Sequence, residues 1–173
     1  MNGRAGYRVR QFFRALTAPL AGEGLEEVER VLTPPQQALF LRMSRADRRH
    51  ARAVCQALQA AGCQPPELLA AALLHDAGKS LAPPPLWVRV AAVLMQRFAP
   101  RLWRRIGRGE ARGWRRALVL YQRHAEIGAQ WAAQVGCSPL TVALIRRHEE
   151  QLGWIDGEED RLLHLLQQAD ESC

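Results

Sequence analysis

The stretch "LLAAALLHDAGKSLAPPP", residues 68–85, carries the pattern from which we predict the fold and the site of this chain. Seven consecutive apolar residues, 68–74, leave no polar face, which is typical of a helix that is buried on all sides. The His75–Asp76 pair follows directly, and Lys79, the only lysine of the chain, comes three residues later. Two ionisable side chains at the end of a buried helix indicate a functional site.

Helix patterns run along the rest of the chain, and the alternation typical of strands is nearly absent. One segment begins at Ser44, with Asp47 three residues later as in a capping box, and stops at Gly62. The connections between such segments are short and rich in glycine and proline. We therefore predict an all-α fold. Its expected form is a single helical bundle of about seven to nine helices in residues 33–173, preceded by a helical appendage in residues 1–32.

Length and composition limit the classes of protein to consider. With 173 residues, of which 48% are hydrophobic, the chain can bury the core of one domain. No segment reaches the ~18 unbroken apolar residues of a membrane span. The four cysteines form no C-x-x-C pair and have no secretory context. Reduced thiols and a cytoplasmic location are the expectation.

The positive charge is concentrated in one region. The formal net charge is +7, and residues 97–123 contain a single acid, Glu110, among nine arginines: 97, 101, 104, 105, 108, 112, 115, 116 and 123. This stretch, Arg97–Arg123, can contact nucleic acid, an anionic membrane or a polyanionic substrate, and a solvated face is the simpler interpretation. The overlapping segment 86–106 has tryptophans and arginines that fit an interfacial helix, which would attach the protein peripherally to the inner membrane.

Helical periodicity places four histidines and two aspartates toward the interior. His50, for example, shares the apolar stripe of its helix with Val54 and Leu58. Buried carboxylates are costly unless they are paired or bind metal, and one lysine cannot pair with both. His and Asp ligands without cysteine suit Fe, Mn, Co, Ni, Zn or Mg. The candidate ligands are His50, His75, Asp76, His124, His148 and Asp170.

At these residues the sequence resembles the HD superfamily of metal-dependent phosphohydrolases. The family has a His on one helix, a His–Asp pair at the end of the next and a distant Asp, which match His50, His75–Asp76 and Asp170 in order. "HDAGK" resembles the HD-I-G-K variant, and "HAEIG" resembles the H-P-E-x-G segment of the HD-GYP branch. "RRHEEQLGWIDG" resembles a degenerate H-H-E-x-x-D-G segment in which Arg147 replaces the first His and the G-Y-P tail is missing. The resemblance covers residues 40–173.

The resemblance implies a mono- or dinuclear metal site that hydrolyses a phosphate ester. The first metal is expected on His50, His75, Asp76 and Asp170, and Asp76 would bridge to a second metal on His124 and His148. Asp76 and Lys79 are the expected catalytic residues. Lys79 and Arg147 are expected to contact a small phosphorylated substrate of nucleotide type, a phosphomonoester or phosphodiester.

A second interpretation is a regulatory HD module without catalytic activity. In that case metal stabilises the fold, and the arginines of residues 97–123 bind nucleic acid or an anionic membrane. The minimal ligand set and Lys79 are all present, which favours the enzyme.

Overall fold

The chain folds into helices in the computed structural model, which describes residues 25–173, with Trp114 described by its backbone alone. The prediction of an all-α fold is confirmed, since that range contains ten α-helices, two 3-10 turns and no strand. The count exceeds the predicted seven to nine by one. The helices are α1 Glu26–Val31, α2 Pro34–Leu41, α3 Arg45–Ala60, α4 Pro66–Leu74, α5 Leu86–Phe98, α6 Pro100–Gly107, α7 Arg116–Gln122, α8 His124–Gln134, α9 Pro139–Arg147 and α10 Gly157–Ser172.

Helix α4 lies at the centre of the main core, as its sequence predicts. All seven residues from Leu68 to Leu74 are buried, because α1, α2, α3, α9 and α10 pack around it. Each leucine buried in this way contributes about 2 kcal/mol to folding. The helix ends at Leu74, and a 3-10 turn, Ala77–Leu81, carries the chain away from it. The centre of the bundle therefore opens onto the residues between helix and turn, 75 and 76.

Capping residues define the starts of two neighbours of α4, and the start at Ser44 is the predicted one. The Ser44 hydroxyl accepts a hydrogen bond from the backbone N–H of Asp47 (3.2 Å), which fixes the first turn of α3. Helix α2 begins after Thr33, whose N–H donates to the Gln36 side chain (3.0 Å). Helix α8 packs against the 3-10 turn and against α9. These contacts hold the start of α8 and the end of α9 beside the end of α4.

Helices α5, α6 and α7 share a second, smaller core of Val88, Ala92, Trp103, Ile106, Leu118 and Val119. Helix α5 ends at Phe98, two residues before Pro100, which begins α6. Helices α6 and α7 were not predicted as separate elements, since each has fewer than nine residues and shows only two turns of periodicity. None of the helices between residues 25 and 173 is both long enough and apolar enough to cross a bilayer.

The N-terminal part of the described chain contributes to the main core. Val28 in α1 and Leu32 are both buried there, so the core includes residues on each side of the predicted boundary at residue 32. Residues 1–24 of the predicted appendage lie outside the described residues. The division into an appendage and a domain stays a prediction.

The four cysteines, Cys55, Cys63, Cys137 and Cys173, are free thiols. Cys55 lies in the core, where burial, reinforced by the charge of Glu27, raises the pKa of its thiol to about 12. Such a thiol stays protonated and unreactive at neutral pH.

Candidate metal centre

The ends of five helices bring the six predicted ligands together. They are His50 in α3, His75 and Asp76 between α4 and the 3-10 turn, His124 at the start of α8, His148 just after α9 and Asp170 in the last turns of α10. His75, Asp76, His124 and His148 are buried, whereas His50 and Asp170 are partly exposed. The cluster therefore lies beneath the surface and is most accessible at its His50–Asp170 side.

Asp76 is the centre of this cluster. Its Oδ1 lies 3.4 Å from His124 Nε2 and 3.8 Å from His148 Nε2. Its Oδ2 lies 3.6 Å from His75 Nε2 and accepts a hydrogen bond from Lys79 Nζ at 2.5 Å. The two carboxylate oxygens thus face two different sets of nitrogen atoms.

Asp170 closes the cluster on the side of α3. Its Oδ1 lies 2.7 Å from His50 Nε2 and 3.6 Å from His75 Nε2. All six predicted ligands are therefore connected by side-chain separations below 4 Å.

Two groups within the described residues could hold a metal ion. One consists of His50, His75 and Asp76, and the other of Asp76, His124 and His148. In each group the ligand atoms lie within 4.8 Å of one another. Asp76 belongs to both groups, which is the arrangement that a bridging carboxylate requires.

Backbone carbonyls orient three of the imidazole rings. His75 Nδ1 donates to Ala72 O (2.9 Å), and two further donations follow the same i−3 pattern, from His124 Nδ1 to Tyr121 O (2.6 Å) and from His148 Nδ1 to Ile145 O (2.7 Å). A carbonyl oxygen only accepts, so the proton sits on Nδ1 and the Nε2 of a neutral ring carries a lone pair. Hydrogen bonds of this kind fix the tautomer and the orientation of metal-binding histidines.

The close contact between His124 and His148 indicates whether these residues suit a metal ion. Their Nε2 atoms lie 3.2 Å apart, and both rings already use Nδ1–H on a carbonyl. Two lone pairs repel at this distance unless a proton or a metal ion is shared, and the Asp76 carboxylate adds negative charge beside them. Nitrogen and oxygen donors without sulfur suit Fe, Mn, Co, Ni or Zn. The residues fit a divalent metal.

The charges around Asp76 keep its carboxyl group ionised. Burial alone would raise its pKa, but Lys79, His75 and His124 hold the pKa well below the usual range. Burial would likewise lower the pKa of Lys79, and the adjacent Asp76 charge raises that pKa above its ordinary value. The pair is thus a carboxylate and an ammonium, with the carboxylate available as a metal ligand.

The two facing histidines have different proton affinities. Burial, together with the charges of His124 and His75, lowers the pKa of His148 to about 4. Burial also opposes the charged form of His124, but Glu149 and Asp76 outweigh it and raise the His124 pKa. His148 is therefore neutral at neutral pH, the state that a metal ligand needs.

Two glycines let the 3-10 turn approach α8. A Cβ built on Gly78 would overlap the backbone carbonyl oxygen of His124 and lie 2.7 Å from the Gly128 nitrogen. A Cβ on Gly128 would lie 3.2 Å from the Gly78 nitrogen. The glycines of "HDAGK" and "HAEIG" therefore face each other, and their contact brings Asp76 next to His124.

Arg147, the predicted substrate contact, is engaged by three carboxylates. Its Nε donates to Glu150 Oε2 (2.7 Å), its Nη1 to Glu159 Oε1 (2.5 Å), and its Nη2 lies 2.9 Å from Asp160 Oδ1. The ion pairs with Glu159 and Asp160 join the end of α9 to the start of α10. The substrate-binding role stays a prediction, and a phosphate would have to compete with all three partners.

Because three carboxylates already engage its guanidinium, we expect Arg147→Met to act on stability. The variant should unfold at a lower temperature, as should Glu159→Gln, which removes one of the same ion pairs. With any hydrolysed substrate, the KM of both variants should stay within about twofold of the wild-type value. Thermal unfolding and steady-state kinetics test this, and a large rise in KM for Arg147→Met alone would restore the substrate-binding role.

Two further polar residues lie near the cluster and were not predicted as part of the site. Asp47 is buried one helical turn before His50, and its charge adds to the field at Lys79. Asp47 precedes His50 by three residues on α3, and this spacing predicts that the two side chains lie on the same side of the helix. Gln167 donates to the carbonyls of His148 (3.0 Å) and Glu150 (2.8 Å), which ties the end of α9 to α10.

Comparison with protein-family models, with curated proteins and with solved structures gives no match. The resemblance to the HD phosphohydrolases rests on the motifs and stays a prediction. The His/Asp cluster that could hold metal is a property of the structure itself.

Proposed function

We propose that this chain is a metal-dependent phosphohydrolase of the HD type that acts on a phosphomonoester or phosphodiester of nucleotide character. The observation that carries the proposal is the environment of Asp76. Oδ1 of this buried carboxylate faces His124 and His148, and Oδ2 faces His75. The only lysine of the chain lies 2.5 Å away. A cation site beside an ammonium suits the hydrolysis of a phosphate ester, because both groups attract the phosphoryl oxygens.

The residues that would hold metal form two sites, and Asp76 belongs to both. His50, His75 and Asp170 would complete one site, and His124 and His148 the other. When bound, one or two divalent ions would supply a Lewis acid for phosphoryl oxygens and would lower the pKa of an attacking water. The backbone carbonyls behind His75, His124 and His148 hold the donor atoms in place before any ligand arrives, which lowers the cost of reorganisation.

Lys79 would contribute positive charge toward the substrate. Its ammonium is held by Asp76 and lies 5.8 Å from the centre of the Tyr121 ring. A lysine acts as a compact point charge and can pair with a phosphate oxygen. The Lys79 side chain is 17% exposed and that of Asp170 is 34% exposed, in contrast to 0% for His124. A substrate would therefore approach from the Lys79 and Asp170 side.

The regulatory alternative is favoured by one feature of the same cluster. Lys79 pairs with Asp76 and His50 lies 2.7 Å from Asp170, so both carboxylates have partners within the protein itself. A cluster that only stabilises the fold would have the same pairs. Hydrolysis of a phosphate ester, which only the enzyme would show, distinguishes the two functions.

The test combines metal content with hydrolysis. The metal content of protein purified without added metal would be measured by elemental analysis, and bis-(p-nitrophenyl) phosphate and a panel of nucleotides would serve as substrates. We expect bound transition metal, and activity that a chelator abolishes and re-added metal restores. Metal binding without hydrolysis of any substrate would support the regulatory module, and absence of metal binding would reject the enzyme and leave the cluster as ion pairs that only stabilise the fold.

Lys79→Met separates substrate contact from metal binding. Removing the ammonium takes away a competitor for Asp76, so we expect metal affinity to be equal or higher. Hydrolysis should fall by about 100-fold in kcat/KM, because one positive charge facing the phosphate is lost. Lys79→Arg, which keeps the charge, is the control and should retain more activity. If Lys79→Met keeps wild-type kcat/KM, Lys79 has only a structural role.

A further inference from the structure

Helices α5 and α6 expose an unusual number of large apolar side chains. Of the ten such residues that are exposed in the described chain, six lie here: Leu86, Trp87, Val90, Leu94, Phe98 and Leu102. Each is at least 45% exposed, and Phe98 is 78% exposed. Leu86, Val90 and Leu94 recur every four residues, so they follow one another along one face of α5. We call these six residues, together with the neighbouring arginines 97, 101, 104, 105 and 108, the α5–α6 face.

The orientation of α5 is fixed by residues on its other side. Val88 and Ala92 are fully buried against Trp103 and Ile106 of α6 and residues of α7. In addition, Arg89 Nη2 lies 3.6 Å from Asp47 Oδ1, which links α5 to α3. The inner face of α5 is thus already occupied, and the apolar outer face is left to solvent by the packing itself.

Positive charge borders this apolar surface. No acid occurs between Asp76 and Glu110 in the sequence. A depression on α6, the helix that also exposes Leu102, is lined by Arg101, Arg104, Arg105 and Arg108. Within residues 25–173, none of these four guanidinium groups has a carboxylate within 4.0 Å or another hydrogen-bond acceptor, unlike Arg112, which pairs with Glu110.

We propose that the α5–α6 face docks the protein on the surface of an anionic lipid bilayer. Leucine, tryptophan and phenylalanine side chains enter the boundary between headgroups and acyl chains, and the arginines bind lipid phosphates beside them. The long arginine side chains can lie along the apolar surface while their charges stay in water. Because Leu86, Val90 and Leu94 follow one another along one face of α5, the helix would lie parallel to the membrane plane.

The composition of the face selects lipid over other anionic partners. Nucleic acid would bind the arginines. Its bases stack on aromatic side chains, however, and the exposed leucines and valine are aliphatic, so they would stay without a contact. A second copy of this chain would bring its own arginines against the same face, and like charges directly opposed are unfavourable. An anionic bilayer provides both negative charge and apolar depth.

The structure also corrects the sequence hypothesis for this segment. That hypothesis used both of its tryptophans as interfacial anchors. Trp87 is 51% exposed and is suited to the role, whereas Trp103 is 8% exposed and belongs to the core of α5, α6 and α7. The contact surface therefore comes from one side of α5 and from Leu102 and the arginines of α6.

The test is co-sedimentation of the full chain with vesicles across a salt series. Wild-type protein should bind vesicles of phosphatidylcholine with about one-third phosphatidylglycerol, more weakly as salt rises, and should bind pure phosphatidylcholine poorly. Trp87→Ser with Phe98→Ser should weaken binding by about tenfold or more at every salt concentration. Arg101→Gln with Arg104→Gln should weaken it by a similar factor at low salt only.

Matched controls use exposed residues outside the face. Trp154→Ser removes a tryptophan that is 93% exposed, and Arg161→Gln removes an arginine that pairs with Glu158 on α10. Both should bind vesicles like the wild type. Circular dichroism should show that every variant retains its helices.

Three results would overturn the proposal. The first is the absence of binding to anionic vesicles at low salt. The second is binding to duplex DNA or RNA that outcompetes vesicles and ignores the change at Trp87 and Phe98, which would make the face a nucleic-acid surface. The third is a dimer in solution that Trp87→Ser with Phe98→Ser dissociates, which would make a second copy the occupant.

Discussion

Replacing Asp76 with asparagine is expected to abolish metal binding and hydrolysis together. Asparagine keeps the shape of the side chain but removes the charge, so it cannot offer an anionic oxygen to each of the two groups that could hold metal. Since changes in residues that merely support a ligand cost about 10–100-fold in affinity or activity, loss of a shared ligand should cost at least about 100-fold in kcat/KM. Elemental analysis should show less than one metal per chain.

Asp47→Asn is the matched control for this prediction. Asp47 is also a buried aspartate close to Lys79, and it accepts a hydrogen bond from the Ser44 hydroxyl (2.6 Å). It belongs to neither group that could hold metal, so the variant should keep its metal and most of its activity. Equal losses in Asp76→Asn and Asp47→Asn would mean that the effect is on the fold.

A double variant separates ligand loss from unfolding. Asp76→Asn leaves the ammonium of Lys79 without its carboxylate, and breaking a buried pair in this way costs about 3–5 kcal/mol of unfolding free energy. Adding Lys79→Met removes the unpaired charge and should recover much of the stability. The double variant should still fail to bind metal. If it binds metal like the wild type, Asp76 is not a ligand.

Metal should also stabilise the wild type but not Asp76→Asn. An ion that binds only the folded chain adds about 2.7 kcal/mol when its concentration is 100 times Kd. Thermal unfolding with and without Mn²⁺ or Zn²⁺ measures this increment. An equal rise in Tm for both proteins would place the bound metal elsewhere in the molecule.

Much of the centre of the molecule was predictable, because its signals are local. Seven apolar residues without a polar face are typical of a buried helix, and the helical period placed His50 on an inner face. The His75–Asp76 pair ends that helix in the sequence pattern and in the structure. Convergence of the six side chains followed from one physical argument: buried carboxylates need partners, and the chain has few to offer.

The parts that could not be predicted depend on contacts between distant segments. The predicted role of Arg147 came from its place in a motif, whereas its partners Glu159 and Asp160 lie beyond a loop whose path no local pattern gives. Trp103 and Trp87 both lie next to arginines and apolar residues in segment 86–106, so the sequence does not distinguish them. Only the packing of α6 and α7 makes one ring buried and the other exposed. Both cases concern a side chain whose environment is set by another element.

The contact between Gly78 and α8 is a third feature of this kind, and it leads to the second large prediction. Gly78→Ala is expected to destabilise the protein by about 3 kcal/mol or more. The added methyl would overlap the carbonyl oxygen of His124 and crowd the Gly128 nitrogen. These are backbone atoms, which cannot rotate away as a side chain would. Relief requires the turn to move from α8, which separates Asp76 from His124.

Because the turn carries Asp76 and Lys79, the damage should reach the site as well as the fold. Urea unfolding and metal titration of Gly78→Ala should both show the loss. Gly128→Ala should change the unfolding free energy by no more than about 1 kcal/mol, because its milder contact is offset by the better helix propensity of alanine. Gly153→Ala, with no atom within 4 Å of the new Cβ, should have wild-type metal affinity. If Gly78→Ala matches Gly153→Ala in both measurements, the turn and α8 are not in contact as described, and Asp76 loses the support that places it between the two imidazole groups.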